Sequence, residues 1–480
     1  MGYLLVAFPL AMAALAFAVP SNRWRPWLLP IGAAVHLALV VTALSQPRDV
    51  PASWFGGWLI LDALGKLVLG YLSSFFFLCS LYAPGYLALR SERSNRVICS
   101  NLFASLSMMT LVTLSHHLGL MWVAMEATTL ASAPSLYFNH NPRSLEATWK
   151  YLVLCSVGLA LALLGSLFLA YSSLKAGSES TLLFDQLVKD ASHLSPPWLH
   201  AAFVLLFIGY GTKMGLAPMH TWKPDAYGEA PGLVGALLAG GVTSCAFLAI
   251  LRVYQIGRAG SEAEFARGAM IAIGLFSMAV AAVFMVRQRD FKRMLAYSSV
   301  EHMGILVLGI GIGGAAVFGA LLHLINNGLT KGVLFLSSGN IHRAYESKFV
   351  DDVRGAIRRV PLSGTMFLAG FIAITGSPPF GPFVSEFTIV NEAFSSGQFF
   401  VAGGFLALLC VVFFGIGSAV LAVVQGEPPI DAPVNGFHDS VSTGAPVVLF
   451  MILVLLLGVY IPPPLEALLR DAAAFVEVQR

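Results

Sequence analysis

Long apolar segments, interrupted by short polar ones, recur along the whole chain. A helix that spans a lipid bilayer needs about 20 apolar residues, and about fourteen segments approach that length. They lie near residues 3–20, 27–46, 66–89, 98–117, 119–138, 149–172, 199–219, 231–255, 268–286, 294–313, 315–340, 362–396, 400–424 and 445–463. The pattern predicts an all-α polytopic membrane protein with about 14 transmembrane helices, and it excludes a membrane β-barrel, whose strands would give short alternating segments.

The composition and the charge distribution add an orientation. The 480 residues are 57% hydrophobic and 11% charged, whereas soluble domains carry roughly 25% charged residues. The longest polar segments, 173–198 and the acidic, Pro-rich loop 425–444, are too short for a soluble domain, although the first has room for a short surface helix. Loops on one side, with Lys223 counted among them, hold more than twice as many Lys and Arg residues as those opposite. This bias predicts that both termini lie outside the cell membrane.

Two of the apolar segments contain helix breakers. One is "GYGTKMGLAPMHTWKPDAYGEAP" (residues 209–231), and the other is "TGSPPFGPFVSEF" (residues 375–387). They fall in the seventh and twelfth segments, and broken helices in corresponding positions of two halves indicate an ion pathway. The spacing predicts two inverted five-helix repeats, at 98–256 and 257–424, preceded by three helices at 1–97 and followed by the loop and last helix at 425–480.

Several ionisable residues lie inside the apolar segments, where a charge costs about 2.5–3.5 kcal/mol or more. Lys66 and Arg252 lie near segment ends, and we expect both to reach the membrane surface. The neighbours Glu301 and His302 form either a structural pair or part of a pathway. The deeper residues must pair with one another or with water, and we expect them to face the bundle interior: Glu126, Lys150, Lys213, His323, Lys331 and Glu386.

Lys213 lies directly before the first helix break. The break frees backbone groups and admits water, while burial favours the neutral form of a lysine amine. A lysine in this position can accept and release a proton, and a nearby carboxylate would titrate with it as a coupled pair. Glu126, near the middle of its segment, is the predicted partner.

The segment "GALLHLINNGLTKGVLFL" carries a second set of polar residues. His323, Asn327 and Lys331 are spaced four residues apart, so they share one helix face. Histidine titrates near neutral pH and suits a proton relay. The spacing predicts a polar stripe that points into the bundle.

Other motifs carry no cofactor chemistry. "GIGIGG" at 309–314 matches a dinucleotide fingerprint, but no strand precedes it. The five cysteines are scattered without a C-x-x-C pair, so we expect neither an iron–sulfur site nor a disulfide framework. The sequence predicts no bound redox cofactor, no metal site and no nucleic-acid partner.

The motifs "MWVAMEATTLAS", "KMGLAPMHTWKPDAYGEAP", "DFKRMLAYSSVEHMGILVLG", "ALLHLINNGLTKGVLFLSSGNI" and "PPFGPFVSEFTIV" resemble the antiporter-like subunits of respiratory complex I, group 4 membrane-bound hydrogenases and Mrp antiporters. The details are most similar to component F of hydrogenase-4-type complexes. The resemblance implies fourteen helices in two inverted repeats, with these residues as the proton pathway: Glu126, Lys150, Lys213, His323, Lys331 and Glu386.

The sequence departs from the family pattern at two positions. The family usually has a Lys or His in the eighth span, whereas "LLAGGVTSCAF" offers only Thr243 and Ser244, and we take Ser244 as the candidate link between the halves. A second relay histidine of the family is replaced by Asn327.

The resemblance implies a proton-translocating subunit of a redox-driven complex in a bacterial or archaeal inner membrane. Its partners would be other membrane and peripheral subunits, and its ions protons or Na⁺. Three alternatives stay open: an Mrp-type cation/proton antiporter subunit, the membrane subunit of a bicarbonate-accumulating complex, and a passive scaffold whose charges are structural.

Overall fold

A computed structural model describes residues 1–45, 52–90, 92–177, 179–429 and 437–477. Residues 430–436 of the acidic loop lie outside these described ranges. The described chain is almost entirely helical, apart from a short antiparallel hairpin of β1 (Ala52–Trp54) and β2 (Leu59–Leu61), which the sequence did not predict.

The helices are numbered in chain order. Those of the first half are α1 (Gly2–Ala18), α2 (Leu28–Leu44), α3 (Ala63–Ala88), α4 (Arg96–Leu114), α5 (Leu118–Leu136), α6 (Pro142–Lys175), α7 (Phe184–Lys189), α8 (Pro196–Met214), α9 (Trp222–Glu229), α10 (Gly232–Leu237) and α11 (Thr243–Ala259). Those of the second half are α12 (Ala263–Met285), α13 (Phe291–Ile312), α14 (Ala315–Tyr345), α15 (Ala356–Arg359), α16 (Pro361–Ile374), α17 (Gly381–Ser395), α18 (Phe399–Val424), α19 (Val441–Val459) and α20 (Pro463–Glu477).

Each predicted apolar segment coincides with a helix or with a pair of half-helices. Within the described ranges, nine helices are long and apolar enough to cross a membrane, and α1 and α16 are shorter apolar helices. Large apolar side chains such as Phe400 and Phe414 are exposed on the outside, as expected where lipid or another subunit covers them. The polytopic helical class is therefore confirmed, while the count of fourteen spans stays a prediction.

Both predicted helix breaks are present. In the first, α8 ends at Met214. The next residue, Gly215, has a φ of 83°, which lies outside the range of a right-handed helix, and α9 begins at Trp222. In the second, α16 is separated from α17 by a segment that includes Gly376, at a φ of 66°. The Trp222 indole N–H donates to the carbonyl of Thr212 at 2.9 Å, so a side chain replaces one of the helix hydrogen bonds that the break removes.

The eighth span is continuous but irregular. A π-helical turn over Leu238–Val242 joins α10 to α11. On one side of this turn α10 packs against α14, and on the other α11 packs against α8. The eighth span therefore contacts both halves of the chain.

α14 is the centre of the second half, since it packs against α10, α13, α16, α17 and α19. The terminal helix α20 packs against α3 and α14 and was not predicted. The side chains of Gln255 and Arg258 on α11 donate to carbonyls of α20, at 2.7 and 3.1 Å. In the segment 173–198, α7 is the short helix that the sequence predicted.

Candidate functional site

Lys213 is fully buried in the last turn of α8. Its Nζ donates to Thr129 Oγ1 on α5 at 2.7 Å and to the Tyr151 hydroxyl on α6 at 2.9 Å. The Nζ also lies 4.8 Å from the centroid of the Tyr151 ring. Two hydroxyl groups therefore hold the Lys213 ammonium group. Among the described residues, no carboxylate lies within 4 Å of it.

Glu126 lies one turn before Thr129 on α5, but it makes no ion pair with Lys213. Its Oε1 accepts a hydrogen bond from Ser156 on α6 at 2.7 Å, and its Oε2 is buried without a partner among the described atoms. The predicted pair is thus two separate groups, each held by a hydroxyl of α6. A proton moving between them needs an intervening group or water.

Lys150 was predicted to face the bundle interior, and this prediction is wrong. Its side chain is 45% exposed and pairs with Glu146 at 2.7 Å and Asp225 at 2.9 Å. The buried face of α6 follows Ala147, Tyr151, Cys155 and Ala162, and Lys150 is about 100° off it. The residue that reaches the site is its neighbour Tyr151, which the helical period could have found.

Lys331 is the buried lysine that the motifs predicted in the second half. It is fully buried on α14, and its Nζ donates to Ser298 Oγ on α13 at 2.8 Å and to the Leu295 carbonyl at 3.3 Å. As with Lys213, no carboxylate of the described residues lies within 4 Å of it. Both lysines predicted from the motifs are therefore buried ammonium groups with neutral oxygen partners.

Four ionisable residues meet at the second helix break, and we call Glu301, His302, His323 and Glu386 the histidine cluster. His302 Nδ1 lies 2.9 Å from His323 Nε2 and 4.0 Å from Glu386 Oε1. His302 Nε2 lies 3.8 Å from Glu301 Oε2, and neither atom has a hydrogen-bond partner among the described atoms. Glu301 and His302 are thus not a satisfied structural pair, and the cluster has room in its hydrogen bonding for water.

A third helix orients the cluster. His323 Nδ1 lies 2.9 Å from Ser385 Oγ on α17, which fixes the imidazole between that hydroxyl and His302. The Glu386 side chain turns back onto the break, where a Cβ at Gly376 would overlap its carboxylate. The donor atoms of His302, His323 and Glu386 all lie within 4.8 Å of one another, a spacing that could also hold a metal ion.

The two remaining predicted residues are buried. Asn327 lies on α14 between His323 and Lys331, and its Oδ1 has no partner among the described atoms. The Ser244 hydroxyl donates to the Gly240 carbonyl of its own helix at 2.7 Å, and the Tyr71 hydroxyl donates to the same carbonyl at 2.8 Å. Ser244 is therefore bonded locally, and this hydrogen bond does not connect it to a lysine of either half.

Lys223 was predicted to lie in an inner loop, and this prediction is also wrong. It is the second residue of α9 and is fully buried. Its Nζ lies 3.1 Å from Ser299 Oγ on α13. The polar residues of "HTWKPDAYGE" suggested a loop, but this sequence forms a half-helix that is buried in the bundle.

A separate group of charges, the outer ion cluster, consists of Asp62, His116, Asp185 and Arg252. Arg252 was expected to reach the membrane surface, but it is fully buried, and its guanidinium donates to Asp62 at 2.8 and 3.3 Å. His116 Nε2 lies 3.1 Å from Asp62, and His116 Nδ1 lies 3.5 Å from the half-exposed Asp185. Lys66, in contrast, is partly exposed near the start of α3, and its reach to the membrane surface stays a prediction.

The charges of the outer ion cluster set the pKa values of its carboxyl groups. Burial alone would raise the pKa of Asp62, but the Arg252 charge and the His116 hydrogen bond outweigh it and hold that pKa below its ordinary value. The contact with His116 lowers the pKa of Asp185. Both carboxylates are therefore ionised at neutral pH, and they anchor α7 and α11 to the start of α3.

Two polar cavities open at the opposite end of the bundle. One, of about 160 Å³, is lined by residues that include Arg90, Lys292 and His342. The other, of about 330 Å³, shares Arg90 and His342 with it. His342 lies on α14, the helix that carries Lys331 and His323. Water in these cavities would reach the end of that helix.

Comparison with known proteins identifies the family of this chain. The family described as "NADH:quinone oxidoreductase/Mrp antiporter, TM" matches residues 115–413, which is more than half of the chain. The chain belongs to this family. Within the antiporter family, the Hydrogenase-4 component F homolog of Methylacidiphilum infernorum is 34% identical over 473 residues, covering 95% of this chain and 96% of the relative.

Solved structures of the antiporter family share the fold. A chain of an archaeal membrane-bound sulfane sulfur reductase aligns with a TM-score of 0.88 at 21% identity, covering 99% of this chain and 97% of that one. A chain of respiratory complex I from Thermus thermophilus aligns with a TM-score of 0.77 at 25% identity, covering 95% and 97%. The predicted family is confirmed, and the chain is an antiporter-like polytopic membrane subunit.

Proposed function

We propose that this chain translocates protons as a subunit of a redox-driven membrane complex of the hydrogenase-4 or NADH-quinone oxidoreductase type. In this proposal the two inverted repeats, 98–256 and 257–424, each contribute one central lysine, Lys213 or Lys331, and one broken helix. The proposed pathway residues are Glu126, Lys213, Ser244, His323, Asn327, Lys331 and Glu386.

The observation that carries the proposal is the state of the two central lysines. Lys213 and Lys331 are fully buried, yet among the described residues the only oxygens to which either donates are hydroxyl and carbonyl oxygens. A buried ammonium group is stable only when its surroundings compensate for the lost water. Without a carboxylate in contact, each lysine can lose its proton, whereas a structural lysine such as Lys348 contacts Glu229 at 2.6 Å and Asp290 at 2.9 Å.

The histidine cluster favours protons over Na⁺ as the transported ion. Imidazole nitrogen suits transition metals and protons, whereas alkali and alkaline-earth cations bind oxygen ligands. His302 and His323 face each other at 2.9 Å, a distance over which one proton is shared. Glu386 and Glu301 supply acceptors on either side, and unpartnered atoms leave positions for water.

The setting follows from the relatives. The 34% identical relative is named a Hydrogenase-4 component F homolog, and a similar chain belongs to respiratory complex I. In such a complex, partner subunits carry the redox chemistry and this subunit carries protons. Moving one charge against 100 mV costs about 2.3 kcal/mol. We place the chain in a bacterial or archaeal inner membrane with both termini outside, so that the cavities beside His342 open to the cytoplasm.

The test combines a pull-down with a transport assay. The chain is isolated from its native membrane in mild detergent, and co-purifying subunits are identified by mass spectrometry. Hydrogenase and iron–sulfur subunits are the expected result, whereas only small antiporter subunits or a single zinc-dependent partner would replace the redox setting by one of the alternatives.

Proton uptake is then measured in inverted membrane vesicles with a pH-sensitive dye. We expect Lys213→Leu and Lys331→Leu to lower uptake at least tenfold per assembled complex. Uptake at the wild-type rate in both variants would favour the passive scaffold and refute proton transport through this chain.

A further inference from the structure

The proposed pathway has a gap between its two halves. The middle of the eighth span, "LLAGGVTSCAF", offers only Thr243 and Ser244 as polar candidates, and both hydroxyls donate to carbonyls of their own helix, Ala239 and Gly240, at 2.6 and 2.7 Å. Neither hydroxyl can store a proton. Another ionisable group is needed where the halves meet.

Lys223 lies at that junction. It follows the first helix break, whereas Lys213 precedes it, so the two lysines flank the same interruption. The stem of Lys223 lies over Gly215, where an added Cβ would overlap its Cδ and Cε atoms. Its Nζ then reaches α13 of the second half, at Ser299 Oγ (3.1 Å) and the Ser299 carbonyl (3.5 Å).

The neighbouring residue of α13 holds the central lysine of the second half. Ser298 Oγ accepts the hydrogen bond of Lys331 at 2.8 Å, and Ser299 accepts that of Lys223. Two ammonium groups, one from each half, thus bind adjacent serines of one helix. The positive charges of Lys223 and Lys331 repel each other in a low-dielectric interior, so protonation of one lysine opposes protonation of the other.

Lys223 also has no counterion. No carboxylate of the described residues lies within 4 Å of its Nζ, although the residue is fully buried. Its Nζ also lies 5.8 Å from the centroid of the Tyr227 ring on its own helix, and the charged group nearest to it in electrostatic effect is Lys331 of α14. Ser299 and Tyr227 can accept or orient a proton, but they do not fix a permanent positive charge as a carboxylate would.

The second helix break repeats this arrangement with a different residue. There, Glu386 of α17 lies over Gly376, which has a positive φ like Gly215. Each break is therefore covered by one ionisable side chain from the half-helix that follows it. Lys223 covers the glycine of the first break as Glu386 covers the glycine of the second.

Building on the proposed function, we propose that Lys223 is the proton-carrying residue that links the two halves. Its neutral amine accepts a proton from the Lys213 side to form the ammonium group. It then returns that proton, through water or the serine hydroxyls of α13, toward Lys331 and regains its lone pair. The lysine thereby supplies the link that the eighth span lacks.

The test uses the complete complex in inverted vesicles, energised by its own electron donor, with proton uptake divided by the amount of assembled complex. Three variants separate charge from proton transfer: Lys223→Arg, Lys223→His and Lys223→Leu. Arginine keeps the charge but is not deprotonated in proteins, whereas histidine can exchange a proton. Lys348→Arg, which keeps a buried ion pair outside the pathway, is the matched control.

We expect Lys223→Arg and Lys223→Leu to lower uptake at least tenfold, Lys223→His to retain more uptake than Lys223→Arg, and the control to pump normally. Wild-type uptake in Lys223→Arg, together with loss of uptake in Lys213→Leu, would show that Lys223 supplies only charge and would overturn this inference alone. Wild-type uptake in both Lys223→Arg and Lys213→Leu would instead overturn the proposed function itself. If Lys223→Leu fails to assemble, the comparison of the arginine and histidine variants decides the matter.

Discussion

Replacing Arg252 by methionine tests the outer ion cluster, because methionine fills a similar volume without the charge. The guanidinium of Arg252 forms two hydrogen bonds to Asp62, and both side chains are buried. After the replacement the Asp62 carboxylate keeps only His116 at 3.1 Å and the Gly65 backbone N–H at 2.7 Å. An ionised carboxylate then stays in the interior without its main counterion.

Removal of one partner from a buried ion pair costs about 3–5 kcal/mol. Since His116 and the Gly65 amide remain, we expect the lower part of this range, a loss of about 3 kcal/mol in the free energy of unfolding, or roughly a hundredfold in the equilibrium constant. A second replacement, Asp62→Asn, should recover part of the loss, because it removes the unpaired charge while asparagine still caps α3.

The pH dependence of the stability loss in Arg252→Met is a second, independent test. In the wild type the pKa of Asp62 is below its ordinary value, so its stabilising contribution is present at neutral pH and fades only in strong acid. In Arg252→Met, burial remains and the Arg252 charge is gone, so the folded-state pKa of Asp62 moves above that in the wild type. The variant can then protonate Asp62 at mildly acidic pH, and its deficit in stability should shrink between pH 8 and pH 5.5.

The measurement is unfolding of the detergent-solubilised protein at both pH values, for the wild type, the two variants and the control Arg258→Met. Arg258 lies on the same helix, but it donates only to a carbonyl of α20, at 3.1 Å. A loss below about 1 kcal/mol in Arg252→Met, the range of an exposed ion pair, would refute the reasoning. So would a deficit that grows as the pH falls.

Three further predictions concern single side chains. Tyr151→Phe removes one of the two hydrogen bonds to the Lys213 ammonium group, which is worth about 1.5–3 kcal/mol, and should lower the rate of proton uptake tenfold or more. The control Lys150→Ala, at an exposed residue, should change the rate less than twofold. Gly376→Ala forces a side chain into the left-handed region against a carboxylate and should destabilise the protein by about 1–2 kcal/mol or more. The control Gly403→Ala on α18, which has open space around it, should not lower the temperature of thermal unfolding, because alanine favours a helix more than glycine does. Asp185→Asn breaks a half-exposed contact to His116 and should cost less than about 1 kcal/mol, and less again at high salt.

The helices could be predicted from the sequence because apolar length and helix breakers are local signals. The fourteen segments and both breaks were found from residue spacing alone, and the stripe of His323, Asn327 and Lys331 was found from the helical period. Long motifs with buried charges also identified the family. These features depend on residues that are close together in the chain.

The misplaced residues depend on partners that are distant in sequence. Arg252 looks like a surface residue near the end of its helix until Asp62, 190 positions earlier, is brought beside it. Lys223 looks like a loop lysine because its half-helix is short and contains polar residues. Its burial depends on packing over Gly215 and against α13, which the local sequence does not reveal. Lys150 is different, since the spacing of small and apolar residues on α6 already pointed to Tyr151.

The π-helical turn over Leu238–Val242 has a consequence for alignment with relatives. A π turn holds one residue more than an α-helical turn. A relative with a regular helix at this point would align with a one-residue gap within "LAGGV", and with that gap the residues on both sides would share helix faces with their counterparts in the relative. Numbering carried straight across this segment would instead assign Ser244 to the wrong helix face.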